Sequence, residues 1–206
     1  MLAVTFDGLD VDADELARLA ALLDADETRR AAGFRFDRDR RRFIARRGRL
    51  RERLGRLVGQ RPDRLRFAAG ACGKPRLARR DAPHFSLSHS HGTMMLAIAD
   101  RAVGCDLEWI DPAFDWPQVA ARLFAPGEAA ALATRAPAAG RRAFFDCWAR
   151  KEAFVKGLGQ GLSYPLDAFE VSLGKEARLL AGPRGWRFHT GFARDGFACA
   201  LVLARD

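Results

Sequence analysis

The chain has 206 residues, 49% of them hydrophobic and 30% charged, which is the composition of a globular protein with one sizeable core or two small ones. No apolar run approaches the roughly 18–20 residues that cross a bilayer as a helix, the acidic start MLAVTFDGLDVDADEL lacks the basic-then-apolar order of a secretory signal, and Cys72, Cys105, Cys147 and Cys199 are too scattered for a zinc site or a disulfide framework; a cytoplasmic protein with buried free thiols and no membrane partner is the expectation. The formal net charge of +9 favours an acidic partner, while no helix-turn-helix, zinc-finger or RNP-like motif points to nucleic acid.

In chain order, Val4–Phe6 reads as a short strand, and Asp12 or Asp14 caps a helix through Leu16, Leu19 and Leu23. Phe34–Val58 is rich in arginine, and Phe43, Leu50, Leu54 and Leu57 give it a helical apolar stripe. Arg47 falls on that stripe, so it needs a counter-charge, either a carboxylate or a bound phosphate. Gly73-Lys74-Pro75 reads as a turn. Phe85–Ser88 is a strand, His89–Gly92 the turn after it, and Thr93–Ala99 the return. Val103–Glu108 then completes a three-stranded antiparallel meander. Strand side chains alternate, so Gly104, Asp106 and Glu108 share one face: two carboxylates beside a glycine that lets something approach.

Asp111–Gln118 is a proline-punctuated connection, and a helix starts near Pro126 with Glu128 at its first turn. After a loop at Ala136–Gly140, the central helix runs from Phe144 to Leu158, with Trp148, Glu152 and Lys156 along one stripe, and Gly159-Gln160-Gly161 ends it. Phe169–Leu173, Trp186–Thr190 and Phe197–Leu203 read as strands. Should Glu152 meet Asp106 and Glu108 in space, the three make a hard oxygen site suited to Mg²⁺ holding a phosphate. A faint repeat accompanies this: Ala45-Arg46-Arg47 and Leu54-Gly55 match Ala149-Arg150-Lys151 and Leu158-Gly159 at a constant offset of 104 residues. The only lysines are Lys74, Lys151, Lys156 and Lys175, and the first three lie in the motifs, which points to sites preferring a compact ammonium to a planar guanidinium.

VGCDLE and FFDCWARKEAFVKGLGQGLSYPL, with HFSLSHS at His84–Ser90 and GKP at Gly73–Pro75, together resemble the signature of the Sfp-type 4′-phosphopantetheinyl transferases. The motifs stand in that family's order and span Gly73 to Pro165. The resemblance implies an α+β fold of two similar halves related by pseudo-twofold symmetry, with the active site in the cleft between them. Residues 1–101 would carry the coenzyme A phosphate contacts, and 102–206 the metal site and the KEAFVK helix. It implies transfer of the 4′-phosphopantetheine arm of coenzyme A to a serine of an acidic apo carrier protein, with release of adenosine 3′,5′-bisphosphate, by a monomer using Mg²⁺ or Mn²⁺. Asp106, Glu108 and Glu152 are the implied metal ligands. Asp106, Glu152 and Lys156 are the implied catalytic residues, and Arg47, Lys74, Ser88, His89, Lys151 and Lys156 the coenzyme contacts. Lys151 has a second reading, a pair with Glu128. Two positions depart from the pattern: Ala149, where a small hydroxyl residue or cysteine is common, and Cys105, in place of isoleucine or valine. The rival reading is a basic binding module for an acidic partner or nucleic acid, with no catalysis.

Overall fold

The structure is a computed structural model and describes residues 1–70, 72–189 and 192–205. Its elements in chain order are β1 (Leu2–Gly8), α1 (Ala13–Ala20), α2 (Ala25–Ala32), α3 (Asp37–Val58), β2 (Phe67–Ala69), β3 (Pro75–Leu77), β4 (His84–Ser90), β5 (Thr93–Ala99), β6 (Val103–Trp109), α4 (Trp116–Leu123), α5 (Pro126–Ala133), α6 (Pro137–Leu158), β7 (Glu170–Val171), β8 (Leu179–Ala181), β9 (Trp186–His189) and β10 (Phe197–Ala204). Both main sheets are antiparallel and carry helices, so the chain is α+β.

The first sheet has the order β1-β5-β4, with β5 paired from Leu2↔Ala99 to Gly8↔Thr93 on one side and from His84↔Ala99 to Ser90↔Thr93 on the other. The second has the order β6-β10-β9, with β6 paired to β10 from Val103↔Leu203 to Trp109↔Phe197. This corrects the expected meander. β6 leaves the first sheet and pairs instead with the last strand of the chain. The reason is apolar: Val103, Cys105 and Leu107 pack face-on against Met95 and Ala97 of β5, with Leu201 of β10 in the same cluster.

Each long helix covers the outer face of one sheet. Phe43, Leu50 and Leu54 of α3 pack with Phe85, Met94, Leu96 and Ile98. On the other side Ala153 and Phe154 of α6 pack with Ala198, Ala200 and Val202 of β10. The layers therefore run α3, first sheet, second sheet, α6.

Where the sheets meet, edge strands β4 and β6 lie side by side. Cys105 N–H donates to Ser86 Oγ at 3.0 Å and Trp109 N–H to Ser90 Oγ at 3.0 Å. The pairing rises together along both strands, so they run parallel, and serine hydroxyls satisfy the edge amides in place of a backbone ladder.

Several boundaries move. The first helix stops at Ala20, and α2 starts at Ala25 behind its N-cap Asp24, which forms a reciprocal capping box with Glu27. The central helix begins at Pro137, taking in the expected loop, because proline suits the first helical position; Gly140 is kept small by the ring of Trp116, 2.7 Å from where a Cβ would lie. α4 begins within the expected connection at Asp111–Gln118. Leu57, placed on the buried stripe of α3, is 42% exposed. Of the cysteines, Cys105 and Cys147 are buried, but Cys72 is exposed and Cys199 is half-buried. Thr190, assigned to the strand from Trp186, lies outside the described residues. No helix among the described residues is long and apolar enough to cross a membrane.

Candidate active site

The face of β6 bearing Gly104, Asp106 and Glu108 is the face on which α6 lies. A Cβ at Gly104 would sit 1.9 Å from Ala153 O and 2.3 Å from Gly157 N, so only glycine admits the helix this closely. The thing that approaches the strand is thus the backbone of α6 itself. Glu152 and Lys156, one turn apart on that helix, are carried toward the two strand carboxylates.

Asp106 is 1% exposed. Its Oδ1 accepts from Ser88 Oγ at 2.7 Å and from Lys156 Nζ at 2.5 Å, and Lys156 also donates to Ser88 Oγ at 3.0 Å. Its Oδ2 is buried with no hydrogen-bond partner. Glu108 accepts from Ser90 Oγ at 3.1 Å. Burial, reinforced by the neighbouring Asp106 charge and by Glu152, pushes the Glu108 carboxyl up to about 7, against the pull of Ser90 and Lys156. Burial and Asp106 also raise Glu152, and Lys156 opposes them. Burial alone would lower the Lys156 ammonium, but Asp106, with Cys105 and Glu152, turns the net shift upward. Glu108 and Glu152 thus both respond to the Asp106 charge, and the Lys156 ammonium serves as resident counter-ion.

Lys74 closes one end of the site. Its Nζ donates to Val103 O at 2.7 Å and Lys156 O at 2.6 Å, tying the GKP turn to β6 and to the end of α6. Burial lowers its ammonium to about 8. Beside it opens a cavity of about 250 Å³ lined by Arg47, Lys74, Ser86, Leu87 and Lys156 among others. A second cavity of about 520 Å³ shares Arg47, Gly73, Pro75 and Leu87 with it and continues to Arg30, Arg46 and Phe67. The two form one trough running from Lys156 to the arginines of α2 and α3.

Of the coenzyme-binding candidates, Lys74, Arg47 and Lys156 line the trough. Arg47 is already paired: its Nε donates to Glu27 Oε1 at 2.6 Å and its guanidinium lies 4.7 Å from the Phe67 ring centre. Ser88 is spent on Asp106 and Lys156. His89 is exposed at the end of β4 and, by strand alternation, on the face opposite Ser88.

Lys151 is a correction. It is fully buried, and its Nζ binds Glu128 Oε2, Leu166 O and Phe169 O, each at 2.7 Å. Glu128 also accepts from Ala125 N and Val171 N. With its donors consumed away from the trough, Lys151 is no phosphate contact; it locks α6 to α5 and β7.

The sequence reading missed three arginines. Arg51, one turn after Arg47 on the same stripe, is the inward cation, held by Asp24, Glu27 and the carbonyls of Pro62 and Leu65. Among the described residues neither Arg30 nor Arg46 is paired with a carboxylate; both stack on Phe43, and burial with the nearby Arg47 and Arg30 lowers Arg46 to about 10. Both lie in charge runs, Arg46 named only as part of the faint repeat, and neither run carried a signal to tell them from solvated neighbours.

Among the described residues no three acidic, histidine or cysteine side chains stand close enough to form a finished metal centre. The donor set nevertheless fits a hard divalent cation. Asp106 Oδ2 is buried and unpartnered, Glu108 and Glu152 are raised by burial and then by neighbouring negative charge, and all three offer oxygen.

Carboxylates facing a lysine, beside a trough lined by Lys74, Lys156, Arg30, Arg46 and Arg47 with Asp24, Asp26 and Glu27 at its far end, suit the transfer of a phosphate ester. The model of the 4′-phosphopantetheinyl transferase superfamily matches residues 102–202. The 4′-phosphopantetheinyl transferase HetI of Nostoc sp. is 38% identical over 202 residues, covering 95% of this chain and 84% of that protein. The 4′-phosphopantetheinyl transferase Sfp of Bacillus subtilis is 31% identical over 115 residues, 56% of this chain and 50% of that one. A crystal structure of the Thermotoga maritima holo-[acyl-carrier-protein] synthase shares 27% identity over 50% of this chain and 62% of that chain, with a TM-score of 0.40. The chain belongs to the 4′-phosphopantetheinyl transferase superfamily, enzymes that move the phosphopantetheine arm onto carrier proteins. That sets aside the reading as a non-catalytic basic module.

Proposed function

We propose that the protein, a cytoplasmic monomer, transfers the 4′-phosphopantetheine arm of coenzyme A to a serine hydroxyl of an acidic apo carrier protein with the help of Mg²⁺, or Mn²⁺ in its place, and releases adenosine 3′,5′-bisphosphate. Asp106, Glu108 and Glu152 hold the cation. When bound, it neutralises charge on the two phosphates of the pyrophosphate. The chain's own residues do the rest, which in a phosphoryl transfer is mostly positioning and charge. Lys156 steadies the phosphate from the same helix face as Glu152. Glu152, raised above the usual carboxylate range, takes the proton of the attacking serine, directly or through a water it holds.

Lys74 and Arg47 bind coenzyme phosphates along the trough, Arg30 and Arg46 extend that basic wall, and Ser88 and His89 border it at the end of β4. In this division residues 1–101 grip the coenzyme and 102–206 carry the cation site. The observation that carries the reading is the buried, unpartnered Oδ2 of Asp106, next to a lysine and within the field of two further carboxyls. The test is the mass of an apo carrier after incubation with the protein, coenzyme A and Mg²⁺. One added arm supports the reading. No addition across fatty acid, polyketide and nonribosomal peptide carriers contradicts it.

A further inference from the structure

We infer that Ser90 is a positioning residue that aims the Glu108 carboxylate at the bound cation; this rests on Asp106, Glu108 and Glu152 being the cation ligands. A serine hydroxyl has one proton and accepts through its lone pairs. Ser90 Oγ accepts from Trp109 N–H at 3.0 Å, so its single proton is left for Glu108 Oε2 at 3.1 Å, and the direction of that bond is fixed. The same arrangement recurs two residues back on each strand. There Ser88 Oγ accepts from Lys156 at 3.0 Å and donates to Asp106 Oδ1 at 2.7 Å. Two serines on β4 thus meet two carboxylates on β6. Each carboxylate has one oxygen tethered to β4, while Asp106 Oδ2 and Glu108 Oε1 have no hydrogen-bond partner among the described residues. Tethering one oxygen and presenting the other is how an outer shell orients metal-ligating carboxylates.

The tether itself is rigid. Ser90 precedes the two-residue turn His91-Gly92, where both residues have positive φ, 43° and 79°. The His91 ring stacks on the Trp109 ring at 4.2 Å and 19°, so the amide that orients Ser90 is held by the same turn.

The test is a Mn²⁺ titration followed by electron paramagnetic resonance, with coenzyme A saturating and a protein-free coenzyme blank. It compares wild type, Ser90→Ala, Ser90→Thr, Glu108→Gln, Asp106→Asn and the Ser90→Ala/Glu108→Gln double variant. Ser90→Ala is expected to weaken Mn²⁺ binding about 10-fold, the usual scale for an outer-shell partner. Ser90→Thr, which keeps the hydroxyl, restores it. In the Glu108→Gln background Ser90→Ala costs nothing more, because the serine acts only through that carboxylate. Wild-type affinity in Ser90→Ala, or an equal loss in both backgrounds, overturns the inference and leaves the proposed function standing. Equal Mn²⁺ binding by wild type and Asp106→Asn overturns the ligand assignment, and the inference with it. If thermal melting shows Ser90→Ala unfolded, Ser90→Cys, with its weak donor, takes its place with the same expected loss.

Discussion

Glu152 carries two duties in this account, ligand and proton acceptor; its amide is a weaker, uncharged ligand and no proton acceptor. Glu152→Gln is expected to lower transfer at least about 10³-fold, on the scale of losing a ligand and a general base together. The melting temperature should hold or rise, since burial already disfavours the charged form; retained transfer would remove Glu152 from the mechanism. Glu108 and Lys74 set the pH response. The Glu108 carboxyl loses its proton near its ordinary 4.5 when unfolded and near 7 when folded. Between those values the folded chain holds the extra proton, so the metal-free protein loses stability as pH rises from 4.5 to 7. The cation competes with that same proton, so its affinity should climb through pH 7 and level off above it. Lys74, lowered to about 8, gives up its charge above that pH and loosens its hold on phosphate. The profile of kcat/KM against pH should therefore rise near 7 and fall near 8; a flat profile from 6 to 9 would contradict both assignments. Lys151 separates structure from chemistry. Lys151→Met leaves Glu128 buried without its cation and should cost about 3–5 kcal/mol of stability in denaturant unfolding, with KM for coenzyme A unchanged where the protein is folded. A raised KM would return Lys151 to the trough.

At the scale of elements, the contact that matters most is α6 on β6. Gly104→Ala puts a methyl group into the backbone of that helix at Ala153 and Gly157. Overpacking of this kind costs about 3 kcal/mol or more, and it pushes Glu152 and Lys156 away from Asp106. Unfolding midpoint and transfer rate should both fall; a variant with wild-type values would mean the helix is not seated by that glycine. The alternation of VGCDLE and the four-residue spacing of Glu152 and Lys156 were legible from the chain because both are local periodicities. The meeting of β4 with β6 was not. It rests on serine side chains reaching amides in a strand that hydrophobic pattern alone assigns to the wrong sheet. The early start of α6 hid behind Pro137 and Gly140, which read as loop residues until the ring of Trp116 is seen against the glycine. Lys151 and Lys156 look alike in sequence, each beside Glu152 on a helix. Only tertiary packing decides that Glu128 claims the first and Asp106 the second.

For the whole molecule, a net charge of +9 favours anionic partners, and Arg30 and Arg46, neither paired with a carboxylate among the described residues, line the trough beside Asp24, Asp26 and Glu27. Attraction between a basic enzyme and an acidic carrier is screened over about 8–10 Å at physiological salt. The KM for the carrier should therefore rise several-fold between about 50 and 300 mM NaCl while kcat stays nearly constant; a salt-independent KM would argue for an apolar docking surface instead. The two sheets are each backed by one 22-residue helix. The most direct measurement is the intact mass of an apo carrier after incubation with coenzyme A and the protein, in Mg²⁺ and in excess chelator. The predicted result is one phosphopantetheine arm added in Mg²⁺ and none in chelator. Equal addition in both, or addition by an Asp106→Asn/Glu152→Gln variant, would contradict the claim that these carboxylates hold the cation on which transfer depends.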